Sequence, residues 1–191
     1  MTPDNEREWV RRAKQGDTAA FGELVRQRQT AVFNVAYRMF GRREDAEDAA
    51  QEAFLRAYKA LDRFDETRPF TPWIKRITVN LCLNWLEAEK VRPQISAADM
   101  GAAGEDAPDM DAWSHKTPTP EQTMVRQEQS VKLRQAILQL PPRYRAVIEC
   151  RHFQEMRYDE MAELLARPLS SVKSDLFRAR KMLKEMLEIG D

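Results

Sequence analysis

No run of about 18 apolar residues occurs in this chain, and no signal-peptide pattern opens it. That predicts a soluble, cytoplasmic protein with no membrane insertion. Cysteine and histidine are nearly missing: Cys82, Cys150, His115 and His152 are all there are. Zinc-ligand spacing cannot be built from these four. Both cysteines lie in apolar-periodic segments and read as buried free thiols, with no disulfide expected in a reducing compartment. Neither metal nor cofactor is expected. Strand periodicity is absent as well, which leaves an all-α fold. A surplus of either charge is also lacking, with 31 Lys+Arg against 31 Asp+Glu. As a total this argues against nucleic acid, but the charges are segregated. Between 93 and 121 the acids Asp99, Glu105, Asp106, Asp109, Asp111 and Glu121 face one base, Lys116. The stretch 170–184 carries Lys173, Arg178, Arg180, Lys181 and Lys184 against Asp175 alone.

What is present is a succession of helices. Trp9, Val10 and Ala13 form a short apolar stripe ending near Gly16. Asp17 suits the N-cap of the next helix, whose apolar positions run from Phe21 to Met39 at three- and four-residue steps and stop at Gly41. A third helix over about 44–61 is front-loaded with Glu44, Asp45, Glu47 and Asp48, as a helix dipole favours. Its apolar positions are Ala49, Ala50, Ala53, Phe54, Ala57, Tyr58 and Leu61.

The stretch 64–92 organises the rest. Pro69 and Pro72 stop any helix arriving from upstream, and Pro72 fits the first helical position of one running over about 72–90. Phased from Trp73, that helix has two apolar arcs, one with Ile74, Ile77, Leu81 and Trp85, the other with Val79, Cys82, Leu83 and Leu86. Two arcs imply neighbours on two sides, as in a bundle. Between them runs a seam of Arg76, Asn80 and Asn84 at roughly 300°, 340° and 20°, with Trp73 at its head. The amides read either as hydrogen-bonding partners within the bundle or as a nucleobase site. An amide edge matches a base edge, an aromatic face takes a stacked base, and Lys90 and Arg92 could hold phosphates.

From 93 to about 122 periodicity vanishes and Pro108, Pro118 and Pro120 block regular structure, which reads as a flexible acidic linker. A coil of about 30 residues spans roughly 30 Å root-mean-square. A second module, 123–191, follows. Pro142 starts a helix whose polar positions include Arg143, Arg145 and Arg151. Tyr158, Met161, Ala162 and Leu165 stripe the next, a tight turn follows, and Ser170 reads as the cap of the final helix. The last two helices have helix-turn-helix proportions. The final helix puts Val172, Leu176, Ala179, Leu183 and Leu187 on its core side. Its opposite face presents Lys173, Ser174, Phe177, Arg178, Lys181 and Lys184, a mixture suited to the major groove.

YDEMAELLARPLSSVKSDLFRARKML resembles the C-terminal DNA-reading domain of bacterial sigma-70 family transcription initiation factors. REDAEDAAQEAFLRAYKALDRFD, followed by TPWIKRITVNLCLNWL, resembles the second conserved domain of the same family. Two such domains joined by a short linker are similar to the extracytoplasmic-function (ECF) subfamily. The resemblance implies a non-enzymatic sigma factor: 1–92 as region 2, 93–122 as linker and 123–191 as region 4. It implies that core RNA polymerase is bound through its β′ clamp helices and β flap, with Asp48, Gln51 and Glu52 at the clamp contact. A flipped base of the single-stranded −10 element would meet Ala60, Phe64, Ile77, Asn80 and Asn84, with Trp73 and Arg76 near the melting edge. Ser171, Lys173, Ser174, Phe177 and Arg178 would read the duplex −35 element, and Arg145 and Lys181 would hold phosphates. An anti-sigma partner is implied too.

The chain departs from the family pattern in three places. Asp175 stands where a base is usual, and predicts weaker phosphate attraction. Ser170-Ser171 replaces Gly-Thr, and Ala49-Ala50 replaces larger aliphatics while Pro69 and Pro72 stiffen the melting loop. Two other functions fit parts of the sequence. A polymerase-independent helix-turn-helix regulator would bind duplex tightly by itself. A metal-dependent phosphodiester enzyme would use Glu44, Asp45, Glu47, Asp48 and Glu52 as ligands, although acids at a helix start are usually a solvated face.

Overall fold

The computed structural model describes residues 3–91 and 120–188, with side chains over 5–89 and 129–188. The described residues are helical almost throughout and contain no strand. The chain divides into two compact units, 1–92 and 93–191. The acidic stretch 93–119 lies outside the described residues.

In the first unit, α1 spans Pro3–Lys14, α2 Thr18–Phe40, α3 Arg43–Ala60 and α4 Phe70–Val91, with one 3₁₀ turn at Leu61–Arg63. Local chemistry sets these bounds. Asp17 accepts the Ala20 N–H at 3.0 Å, which satisfies an orphan donor at the start of α2. That bond, then the Arg12 guanidinium, holds the Asp17 carboxyl below its usual range. Gly41 ends α2 in the left-handed conformation (φ 78°) with its N–H on the Tyr37 carbonyl at 2.8 Å, a geometry a Cβ would strain. Ala46, Ala49, Ala50, Ala53 and Ala57 are all buried along α3, which packs on both α2 and α4. Small side chains at that seam let the axes approach closely. The volume comes from Leu24, Val32, Met39, Leu61, Phe70, Ile74 and Leu81, each almost fully buried and each contributing about 1.5–3 kcal/mol. Tyr58, expected among the apolar positions, is instead 42 % exposed and meets Phe21 edge-on at 4.9 Å.

The sequence places the start of α4 at Pro72, but the helix opens at Phe70. Glu6 of α1 causes the difference: its Oε1 accepts the Phe70 N–H at 3.0 Å and its Oε2 accepts the Thr71 hydroxyl at 3.1 Å. Pro72 still lies in the first turn, where a missing N–H costs nothing.

In the second unit, α5 spans Pro120–Gln139, α6 Pro142–Ile148, α7 Tyr158–Leu164 and α8 Leu169–Glu188, with a π turn at Glu149–Phe153 after α6. Helix therefore begins at Pro120, inside the segment expected to be linker, because proline suits a first helical position. Pro142 opens α6 as expected. Between α7 and α8, Ala166 takes the left-handed conformation (φ 49°) while the Arg167 N–H returns to the Ala162 carbonyl at 3.0 Å. Ser170 is not the cap of α8. The Pro168 carbonyl already accepts the Val172 N–H at 3.1 Å, so the helix starts at Leu169 and Ser170 lies in its first turn. Cys82 and Cys150 are both buried free thiols.

Candidate nucleic-acid interface

The expected base site sits on α4 and the segment before it. Phe64 is 5 % exposed and meets Phe70 at 5.9 Å with near-perpendicular rings, and Trp73 at 4.5 Å. Phe70 and Trp73 are 5.5 Å apart, which closes a three-ring cluster. Phe64 therefore backs Trp73 from within and offers no open face of its own, which differs from the role the resemblance implies for it. Trp73, Arg76, Ile77 and Asn80 are half-buried and Asn84 is exposed, so the seam lies along an accessible face of the helix. Ala60 is half-buried just before the 3₁₀ turn. The side chain of Lys90 and the whole of Arg92 lie outside the described residues.

On α3, Asp48 and Gln51 are exposed and Glu52 is half-buried, holding the Arg56 Nε at 2.7 Å. Leu55, 55 % exposed, and Tyr58 continue the same outer face at helical spacing. Leu55 and Gln51 border a groove of about 630 Å³ between α2 and α3, with Phe21, Val25, Phe33 and Phe54 in its lining. Sequence reasoning assigned Leu55 no role. Its position seven residues after Asp48 on the acidic helix was the available signal. The acids at the start of α3 are engaged with arginines: Arg42 with Asp45 at 2.5 Å and Arg43 with Glu47 at 2.8 Å. Among the described residues no three His, Cys, Asp or Glu side chains come together to hold a metal ion.

In the second unit α8 turns Val172, Leu176 and Ala179 inward. Lys173, Ser174, Arg178 and Lys181 are exposed, Ser171 is half-buried, and Phe177 is 71 % exposed between them. Several of these cations are held in place. The Lys173 ammonium lies 5.7 Å from the centre of the Tyr158 ring, and the Arg151 guanidinium lies 5.3 Å from it. The Tyr144 hydroxyl accepts from Arg143 Nη2 at 2.8 Å and also bonds Arg178. Those two bonds, Arg178 first, lower the phenol's pKa from its ordinary value. Arg180 Nε lies 3.3 Å from His152 Nε2; burial, then Arg180 and Arg151, hold the imidazole below its usual range. Lys181 is within 3.8 Å of Glu185, an exposed contact of little energetic weight.

One residue of the expected set, Arg145, is placed differently, and Asp175 lies away from that set. Arg145 is buried, and its guanidinium donates to the Leu138 carbonyl and, at 3.1 Å, to the Leu140 carbonyl. Burial pushes its pKa down to about 10. It closes the C-terminal end of α5 and does not stand among the exposed cations, because a guanidinium on α6 reaches orphan carbonyls nearby. Asp175 is only 4 % exposed and pairs with Arg167. Asp175, which stands where the family pattern has a base, thus faces Arg167 inside the unit and not the exposed side of α8.

Residues 24–92 match the family model for Sigma-70 region 2, and residues 130–183 match that for Sigma-70, region 4. The chain is 34% identical over 181 residues to the ECF RNA polymerase sigma factor SigW of Bacillus subtilis, covering 93% of this chain and 94% of that one. It is 32% identical over 190 residues to the RNA polymerase sigma-H factor of Pseudomonas aeruginosa, covering 98% and 96%. Among solved structures, CnrH in complex with the cytosolic domain of CnrY matches with a TM-score of 0.63 at 22% identity, over 98% of this chain and 99% of that one. The sigma factor RpoE in complex with the anti-sigma factor NepR from Bartonella quintana matches at 0.58 and 17% identity, over 90% and 98%. At those identities the likeness is one of fold. Two region models in this order, with identity above 30% along almost the whole chain, place this protein in the sigma-70 family, among the ECF RNA polymerase sigma factors.

Proposed function

We propose that this sigma factor docks on core RNA polymerase through the outer face of α3, captures the unpaired −10 strand at the α4 seam and reads the −35 duplex with α8. The first unit then serves as region 2 and the second as region 4, with the acidic stretch as connector, in the cytoplasm. The observation that carries this is the exposed face of α8. A ring 71 % exposed among Lys173, Ser174 and Arg178 has no use on a solvated helix, whereas base edges and thymine methyls give it one. Steering by exposed cations supplies the sequence-independent part of binding. Sigma factors are initiation factors, not catalysts, so the activity belongs to the polymerase. The B. quintana neighbour was solved with an anti-sigma factor, and we extend to this chain an inhibitor of the same kind.

The test is transcription from a pool of genomic fragments by core polymerase with and without the protein. Promoter-specific transcripts that need the protein are expected. Tight sequence-specific duplex binding by the free protein, without any gain in transcription, would instead identify a polymerase-independent regulator. Within a working promoter, Arg178→Ala should weaken duplex binding by about 1–3 kcal/mol and relax selectivity at one −35 position. Binding titrations across single-base variants check this. A uniform loss across all variants, with a shallower salt dependence, would assign Arg178 to a phosphate.

A further inference from the structure

Helix α1 precedes the residues matched by the region 2 model, which begin at 24. Two of its long polar side chains nonetheless reach the segment that leads into the base site. Glu6, 8 % exposed, accepts from the Phe70 N–H and the Thr71 hydroxyl at one end of that segment. Arg28 of α2 neutralises the same carboxylate, with its Nε at 2.9 Å. At the other end Lys14 donates to the Phe64 carbonyl at 3.0 Å and pairs with Glu66 at 3.0 Å. Eight residues of helix separate Glu6 from Lys14, a rise of about 12 Å, so one rigid rod spaces the two attachment points.

Between those points the chain makes its own turn. Asp65 accepts from the Thr67 N–H at 3.0 Å and the Thr67 hydroxyl at 2.7 Å, and the Arg68 N–H returns to the Asp65 carbonyl. A local turn fixes the segment's shape but not its place on the bundle. Both tethers to α1 do fix its place, and each holds one backbone atom, the Phe70 N–H and the Phe64 carbonyl, together with one side chain, Thr71 and Glu66. That path carries the Phe64–Phe70–Trp73 cluster and the first turn of the helix bearing Arg76, Asn80 and Asn84. Recognition of an extruded base needs its pocket atoms held to within about 0.5 Å.

We infer that α1 is a positioning clamp for strand capture, with Glu6 and Lys14 as the residues that hold the 64–71 segment at its two ends. The inference rests on the proposed reading of the α4 seam as the −10 site. Neither residue touches the nucleic acid; both act through the segment they hold.

Lys14 is the safer residue to change, because its removal leaves no buried charge behind. The experiment compares wild type, Lys14→Met, Lys14→Arg and Asn80→Ala as holoenzymes with core polymerase. The probe is a fluorescein-labelled single-stranded −10 oligonucleotide from a promoter found in the transcription test. Affinity for core polymerase and thermal midpoint are measured on the same samples. Lys14→Met should bind the strand about tenfold more weakly with core affinity unchanged, and its midpoint should fall slightly, because the lost bond lies within the fold. Lys14→Arg should restore binding. Strand affinity equal to wild type in Lys14→Met, alongside a loss in Asn80→Ala, overturns the clamp and leaves the −10 site standing. A loss of core affinity in Lys14→Met, or a lowered midpoint with strand affinity equal to wild type, shows a merely structural contact and also overturns it. No loss even in Asn80→Ala removes the −10 reading and the clamp together.

Discussion

Arg167→Ala is expected to destabilise the second unit by about 2–4 kcal/mol, more than any surface substitution there, because it strands the buried carboxylate of Asp175. The pair joins the turn before α8 to the second turn of that helix, and the acid's side chain is only 6% exposed. Removing one partner of such a pair costs far more than the pair contributes, since the remaining charge has no water to turn to. Arg167 is itself about a third exposed, which is why the figure sits below the upper end for fully buried pairs. The double change Arg167→Met with Asp175→Leu should be close to neutral, because it removes both charges and keeps the volume. Hydrogen exchange resolved by segment is the suitable measurement. The tryptophans are Trp9, Trp73, Trp85 and Trp113, so none belongs to α6, α7 or α8. Faster exchange across α6–α8 in the single variant, with α1–α4 unchanged and protection regained in the double, is the expected pattern. Protection in Arg167→Ala equal to wild type would mean that Asp175 finds solvent or another partner.

Asp175 also illustrates what the sequence could and could not convey. Helical phasing puts it at roughly 300°, within 60° of the centre of the core arc, so its burial was legible in the pattern. Its partner was not, because Arg167 lies across a turn whose left-handed Ala166 gives no glycine signal. Helix ends set by neighbouring residues were readable: Asp17, Gly41 and Pro142 each mark the boundary observed. The start of α4 was not, because its cap, Glu6, comes from 64 residues upstream, and no local motif encodes that. Arg145 misled for a related reason. Periodicity locates the Cα of a long side chain, but the guanidinium reaches several ångströms further and finds the end of α5. On α3 the alternation of small and acidic residues was plain, but whether Leu55 and Tyr58 were covered depended on the spacing of α2. Of the alanines only Ala50 lines the groove, where a larger residue would have filled part of it.

That groove underlies the second large effect. Leu55→Asp should weaken binding to core polymerase by about 2 kcal/mol or more, roughly thirtyfold, whereas Asp48→Asn should change it only a few-fold. The difference follows from where each residue sits. Leu55 borders an apolar groove of about 630 Å³ with Phe21, Val25, Phe33 and Phe54 in its lining, while Asp48 stands on the exposed surface of the same helix. Interfaces concentrate their energy in apolar centres shielded by a polar surround, and a solvated charge at the edge mainly changes the encounter rate. Leu55 is 55 % exposed in the free protein, so the substitution removes little native packing and the thermal midpoint should hold. Duplex binding by the second unit should hold as well, since Leu55 belongs to the first. Surface-bound core polymerase titrated with each variant separates the two effects, the aspartate acting on dissociation and the asparagine on association and its salt dependence. Assembly of Leu55→Asp at wild-type affinity would move the docking surface off this face of α3, and Asp48, Gln51 and Glu52 would lose their proposed role with it.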